Sequence, residues 1–360
     1  MDDDRWQLKE QCVKLLGHSW TVLLYRRRNR RCVECLLLLV YCICIYTVWN
    51  ISFPQIDHSA VADSSSLGPL RAAAAGSDVV NNGVAVATQR RDVIVHVTWF
   101  YPPRTALRFH EAMCLLAVQR YVRPRKILLW YDDASTPPAG AWWQFARQSV
   151  AHLLPVPYQR PTSVYNRTLL VPEHQSDVVR LTVLEEFGGL YVDLDVIVVR
   201  PLNSLLSYEV IMGAESPAML GSGFILATRT NATFIQLWRQ AYADFDDSDW
   251  NRHSVYVPME LARQHPDLVH VDWFSINRPN WNERHWLYTN GKLWDWSGNY
   301  AVHLWYRDHP TDAIYDPLTI RHLNTTTAEV LRLIYYEDSR LLPPISNTST
   351  AHEVGNTEGQ

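Results

Sequence analysis

The chain has 360 residues, 47% of them hydrophobic, which is ample for a large buried core. Its formal net charge of −4 excludes a protein held to nucleic acid by bulk charge. Cys12, Cys32, Cys35, Cys42 and Cys44 crowd the start and only Cys114 follows, so no internal disulfide can hold the remainder together.

Residues 1–31 are polar and basic, ending in Arg26, Arg27, Arg28, Arg30 and Arg31, and read as a cytosolic tail. The apolar run over 32–53, with Glu34 near one interface and Trp49 near the other, predicts a transmembrane signal-anchor. A core helix and a cleaved signal peptide are the rival readings. The arginine cluster disfavours the first, and the long basic lead without a small-residue cleavage site disfavours the second. The positive flank stays cytosolic, so everything after residue 53 is expected to be lumenal, in a single-pass type II arrangement. Sequons at Asn166, Asn231, Asn324 and Asn347 accord with glycosylation there. Residues 54–90 are small and polar and read as a stem or linker. The Ser-, Thr- and Asn-rich tail, 341–360, reads as disordered. The folded domain is therefore 91–340.

Within it, 93–100 is a buried strand of β-branched and aromatic residues. Helical spacing follows over 104–121, a second strand over 126–131 and a helix over 142–154. The clearest helix is 176–187, stopped by Gly188 and Gly189. A strand over 190–199 ends before Pro201. A glycine turn feeds a strand over 221–227, and a helix spans 232–244. Residues 273–305 hold six tryptophans threaded with Asn, Gly and His, and read as irregular functional structure; a short strand over 300–306 contains His303. Strands alternating with helices predict an α/β fold with a mixed, mostly parallel sheet flanked by helices. Ligands in such sheets bind at the carboxyl ends of strands.

Asp193 and Asp195 stand out, because unpaired charges are costly inside an apolar strand. An i, i+2 pair in extended chain faces one side, so both can reach one hard divalent ion whose other positions take phosphate oxygens. Two solvated carboxylates at a strand end are the plain alternative. Tyr191 shares their face. Asp177 and Arg180 are i, i+3 neighbours at the start of a helix, where an anionic group is favoured; a local ion pair is the plain reading. Gly221 and Gly223 either let backbone approach a ligand or make a turn.

Ser176, Asp177, Arg180, Gly188, Gly189, Tyr191, Asp193 and Asp195 follow the pattern S-D-x-x-R then G-G-x-Y-x-D-x-D. This block resembles the DXD-motif glycosyltransferases of family 32, related to α-1,4-galactosyltransferase and yeast α-mannosyltransferases. The first strand VHVTWF, the segment LWYDD and the late AVHLW extend the resemblance over 92–336. It implies a GT-A-type fold, a nucleotide-sugar donor, Mn2+ or another divalent cation, and retention of configuration. It implies that Asp193 and Asp195 are catalytic and hold the metal with His303, for which a core histidine is the plain alternative; that Asp177, Arg180 and Tyr191 face the donor, Tyr191 being equally an ordinary strand residue; and that Trp99 either stacks on the donor's base or fills the core. Asn280, Trp281, Asn282 and Glu283 are then candidates for the acceptor side, since aromatic faces stack on sugar rings, although core filling is the usual fate of tryptophan. The expectation is a Golgi-membrane enzyme moving a hexose or N-acetylhexosamine to a glycan or glycolipid. UDP-galactose or UDP-N-acetylglucosamine is the first expectation, and GDP-mannose the alternative. A catalytically silent sugar-binding protein on the same fold is the rival of a different class. No carboxylate announces itself as a nucleophile, so same-face attack is expected from the resemblance alone.

Overall fold

The computed structural model describes residues 93–291, 293–308 and 315–342, all within the second of two units, Val86–Gln360. The expected tail, anchor and stem, most of 341–360, and the sequon at Asn347 lie outside the described residues. Among the described residues no helix is long and apolar enough to cross a membrane.

Four strands run in parallel registers at one end of the fold: β1 (Ile94–Trp99), β2 (Lys126–Asp132), β3 (Leu153–Tyr158) and, further along the chain, β6 (Gly189–Val192). A small antiparallel pair, β4 (Ser163–Val164) and β5 (Arg167–Thr168), stands apart and presents Asn166 at its exposed turn. Strand β7 (Val196–Val198) belongs elsewhere. It pairs antiparallel with the late strand β11 (Ala301–His303), in register His303 with Val196. The main sheet is completed by β8 (Val210–Ser216), β9 (Met219–Ala227) and β10 (His270–Asp272), giving the order β10-β8-β9-β6-β1-β2-β3. Only β9 runs antiparallel to its neighbours, so the sheet is mixed and mostly parallel, as the alternation predicted.

Alternation along the strands of the main sheet sends residues to its opposite faces. Val95, Val97 and Trp99 pack with α1 (Phe109–Ala117) and with Val330, Leu331 and Ile334 of a C-terminal helix. Tyr191, Met212 and Ile225 pack on the opposite face with Leu181, Leu184, Phe234 and Trp238. A second helix, α2 (Gly140–Ser149), lies along the first core, and α3 (Pro172–Phe187) crosses the other face. Helix α3 starts four residues before the predicted position, because Pro172 sits at its first turn. Asp177 and Arg180 consequently lie beyond that turn, which removes the helix N-terminus from their account. The chain continues through α4 (Thr233–Gln240), α5 (Val257–Gln264), the short α6 (His285–Tyr288) and α7 (Thr326–Tyr336).

The stop between α3 and β6 depends on Gly188 and Gly189, with φ of 63° and 94°. A Cβ on Gly189 would lie 2.1 Å from the Ile94 carbonyl oxygen, so β6 can pair beside β1 only with glycine there.

The predicted strand over 190–199 is two strands. Asp193, Leu194 and Asp195 form a turn between β6 and β7, closed by the Val196 N–H donating to the Asp193 carbonyl at 3.0 Å. The apolar run is continuous only because each half is buried in its own sheet. The two aspartates therefore owe their common direction to a turn, not to strand alternation.

Candidate active site

The turn lies at the carboxyl end of β6, the edge where parallel sheets take ligands. The Asp193 N–H donates to the Gly223 carbonyl at 2.9 Å, extending the β6–β9 ladder by one bond. Beneath the turn, the buried thiol of Cys114 donates to the carbonyls of Val196 (3.1 Å) and Asp193 (3.4 Å), and burial pushes its pKa well up. The Asp193 and Asp195 side chains are 31% and 23% exposed, so both reach an opening.

Asp193 is held from one side. The Tyr191 hydroxyl donates to its Oδ1 at 2.7 Å, and Arg180 Nη2 lies 3.4 Å from the same atom. Tyr191 is itself fixed by Thr98 (3.0 Å) and Ser176 (3.2 Å). Arg180 is buried, over the Tyr191 ring at 4.5 Å, with Asp177 Oδ1 at 3.2 Å. Its Nη1 donates to the Ser222 carbonyl and hydroxyl at 2.7 and 2.8 Å. Burial alone would lower the pKa of Arg180, but the charges of Asp193 and Asp177 outweigh it and raise it. Burial raises Asp177 despite Arg180. Asp177 and Arg180 are thus a buried pair beside Asp193, not a surface bridge.

Asp195 is held from the other side. Its carbonyl accepts from the Leu304 N–H at 2.8 Å, and its Oδ2 from the Tyr306 N–H at 3.0 Å. Its Oδ1 faces His303 Nε2 at 3.3 Å. Burial pushes the carboxyl up, yet His303 and the Tyr306 N–H outweigh that and hold it well below the usual range. In the same way burial lowers His303 and Asp195 more than restores it. Trp305, at a left-handed φ of 51°, stacks on His303 at 3.6 Å, and Trp281 meets Trp305 edge-on.

The glycines of β9 have a specific reason. A Cβ on Gly223 would lie 2.9 Å from Asp193 Oδ2 and 3.2 Å from His303 Cε1. A Cβ on Gly221 would lie 2.3 Å from Asn277 Nδ2. Gly223 therefore opens onto the site, while Gly221 makes room for another side chain instead of admitting a ligand.

Other expectations are corrected. Trp99 is 1% exposed and belongs to the core, so a base cannot lie on it; Tyr101, 41% exposed, packs on it with its ring tilted and the centroids 4.4 Å apart. Asn280 and Glu283 cap each other across a turn, through bonds of 3.1 and 3.0 Å, and Glu283 also pairs with Arg278. Their polar groups are thereby engaged, leaving the exposed Asn282 and the half-buried Trp281 of that quartet. Sequence reasoning missed Thr98, Asn277 and Glu215, a carboxylate at the end of β8 whose pKa burial raises and His303 lowers; Trp305 lies in the tryptophan-rich stretch it singled out. Thr98 had a signal: with His96 it makes a polar pair at alternate positions of an apolar strand.

Among the described residues no three of His, Cys, Asp and Glu close into a metal cage. Asp193 Oδ2 and His303 Cε1 nevertheless both lie against the open side of Gly223, and the Nε2 of the same His303 faces Asp195 Oδ1. Two carboxylates and an imidazole are a donor set suited to an Mn2+-type ion, so the residues fit such a group.

Residues 117–211 match the model of the glycosyltransferase sugar-binding region containing the DXD motif. Glucan organizing enzyme 1 of Cryptococcus neoformans var. grubii serotype A is 34% identical over 212 residues, covering 55% of this chain and 56% of that protein. Glycosyltransferase afumC of Aspergillus fumigatus is 27% identical over 147 residues, covering 33% and 37%. The chain thus spans about half or less of the length of these curated relatives. Among solved structures, the PaToxG glycosyltransferase overlays with a TM-score of 0.36 at 15% identity, over 48% of this chain and 68% of that one. The resemblance carried by Ser176 to Asp195 is borne out, and over its central region the chain is similar to the DXD-motif glycosyltransferases.

Proposed function

We propose that the chain is a metal-dependent, retaining glycosyltransferase of GT-A type. It moves a hexose or N-acetylhexosamine from a nucleotide diphosphate sugar to a glycan or glycolipid. The observation that carries this reading is the division of labour at Asp193. Tyr191 and Arg180 fix its Oδ1, which leaves Oδ2 facing Gly223 and His303.

Asp193, Asp195 and His303 would hold the divalent cation. When bound, that cation neutralises charge on the departing nucleoside diphosphate. Arg180 keeps a permanent positive charge behind Asp193, and its hydrogen bonds to Ser222 tie that charge to β9. The Tyr306 N–H and His303 keep the Asp195 carboxylate ionised. Trp305 and Trp281 wall the far side of His303 with aromatic faces for an acceptor sugar. Same-face attack is the proposed course, in which the acceptor hydroxyl approaches on the side the nucleotide leaves. UDP-galactose or UDP-N-acetylglucosamine is the proposed donor, and GDP-mannose the alternative. The proposed setting is the Golgi membrane, with an anchor over 32–53 and the domain over 91–340 lumenal, on the strength of the sequence.

The test is donor hydrolysis by the purified full chain against a panel of UDP- and GDP-sugars, with Mn2+ and then with chelator. Release of UDP or GDP from one sugar, abolished by chelator, supports the reading and names the donor. Failure to bind any nucleotide sugar, measured by calorimetry, refutes it.

A further inference from the structure

We infer that Asn277 is a positioning residue of this site, fixing the tautomer of His303 so that its Nε2 lone pair is presented beside Asp195. The inference rests on the metal-dependent reading above. Asn277 follows β10 by five residues and is 5% exposed. Its Oδ1 lies 3.2 Å from His303 Nδ1. An amide oxygen only accepts, so Nδ1 carries a hydrogen whether or not Nε2 also does, and the lone pair that a ligating ring uses is on Nε2. That nitrogen is the one 3.3 Å from Asp195 Oδ1.

The side chain is locked by its surroundings. A Cβ on Gly213 of β8 would lie 2.8 Å from the Asn277 Cβ, and one on Gly221 of β9 would lie 2.3 Å from its Nδ2. Two neighbouring strands therefore carry glycine where this one side chain passes. The loop that delivers it is equally fixed, because Asp272 Oδ1 accepts from the N–H groups of Phe274, Ser275 and Ile276 at 3.1, 2.6 and 3.0 Å. The Asn277 Nδ2 is buried with no hydrogen-bond partner among the described residues. An unpartnered buried donor is costly, and an apolar side chain of this size would avoid that cost. The amide is retained for its oxygen. Hydrogen bonds of this kind orient a ligating imidazole and raise its basicity, and their loss commonly weakens metal binding about 10–100-fold.

The test is Mn2+ titration of the full chain, following the signal of the free ion by electron paramagnetic resonance. Asn277→Leu removes the acceptor and should bind Mn2+ about 10–100-fold more weakly than wild type, with little change in melting temperature. Asn277→Asp keeps an acceptor at the same place and should restore wild-type affinity. A Leu variant of wild-type affinity overturns the inference, and so does an Asp variant as weak as the Leu one. Should the Leu variant fail to fold, Asn277→Ser, too short to reach His303, replaces it. Asp193→Ala separates the two levels. If it weakens Mn2+ binding while Asn277→Leu does not, only the role of Asn277 falls. If wild type itself binds no Mn2+, both fall.

Discussion

A methyl group at Gly223 is the most selective probe of the proposed site. In Gly223→Ala the new carbon would lie 2.9 Å from Asp193 Oδ2, 3.2 Å from His303 Cε1 and 3.4 Å from Val196 Cγ2. The first contact is closer than real Cβ atoms tolerate, so something must move. Asp193 Oδ1 is tied to Tyr191 at 2.7 Å and lies beside Arg180, so relief comes from swinging Oδ2 away from His303. Overpacking of this size costs about 1–3 kcal/mol, and the stiffer unfolded chain returns about 0.4–1. The net loss of stability should thus be small, roughly 1 kcal/mol. Function should suffer far more, since misplacing a catalytic group by an ångström costs about 100-fold. The assay pairs donor hydrolysis in Mn2+ with urea unfolding of the same preparation. A folded Gly223→Ala protein that hydrolyses donor within about threefold of wild type would refute the placement of the site against β9.

Asp195→Asn should lower donor hydrolysis at least about 100-fold while leaving the circular dichroism spectrum unchanged; an active variant would sink the metal-site argument. Arg180→Met should destabilise the fold by about 3–5 kcal/mol in urea unfolding, because Asp177 and Asp193 lose their buried partner. His96 gives a pH dependence remote from the chemistry. It donates to the Gly188 carbonyl at 2.9 Å and accepts from Trp130 at 3.2 Å, and burial holds its pKa down at about 4 against an ordinary 6.5. Only the neutral ring suits that place, so its contribution is complete above pH 6.5 and lost as pH falls towards 4, by roughly 3 kcal/mol. Urea unfolding of wild type between pH 7 and 4.5 should show a loss that His96→Gln lacks, and equal slopes would refute it.

How much could be read in advance depended on where the information sits in the chain. Strands β1 and β2 and helix α3 were legible because their apolar periodicity is local and glycine, proline or charge ends them. The helix predicted over 142–154 runs two residues into β3, and residues 155–158 carry no prediction; Pro155 and Pro157 are unusual in a strand, and a place at the sheet edge reconciles them. The break inside 190–199 was hidden for the opposite reason. Residues buried in two different sheets look like one buried strand when nothing polar but the two aspartates intervenes. Gly221 and Gly223 were legible as special positions, but not their reasons, because what fills the space beside each arrives from distant segments. Asn277 had no signal at all: it is one polar residue in a loop rich in them, and its meaning is set by Gly213, Gly221 and His303.

The contiguous block from Ser176 to Asp195 therefore supplies only half of the site. Its other half enters through the pairing of β7 with β11, which delivers His303, Leu304, Trp305 and Tyr306 in a fixed register to the same turn. Asp195 is bonded at both its carbonyl and its carboxylate by that incoming segment, whereas the Asp193 backbone is bonded by Gly223, Val196 and Cys114 and its carboxylate is held by Tyr191 and Arg180 of the block, with Thr98 behind Tyr191. The two aspartates are thus positioned by different parts of the chain. A change in the late segment should displace Asp195 and spare Asp193, and a change at Thr98 or Ser176 should do the reverse. Two carboxylates so close in sequence acquire separate supports because the turn that carries them is the junction of two sheets.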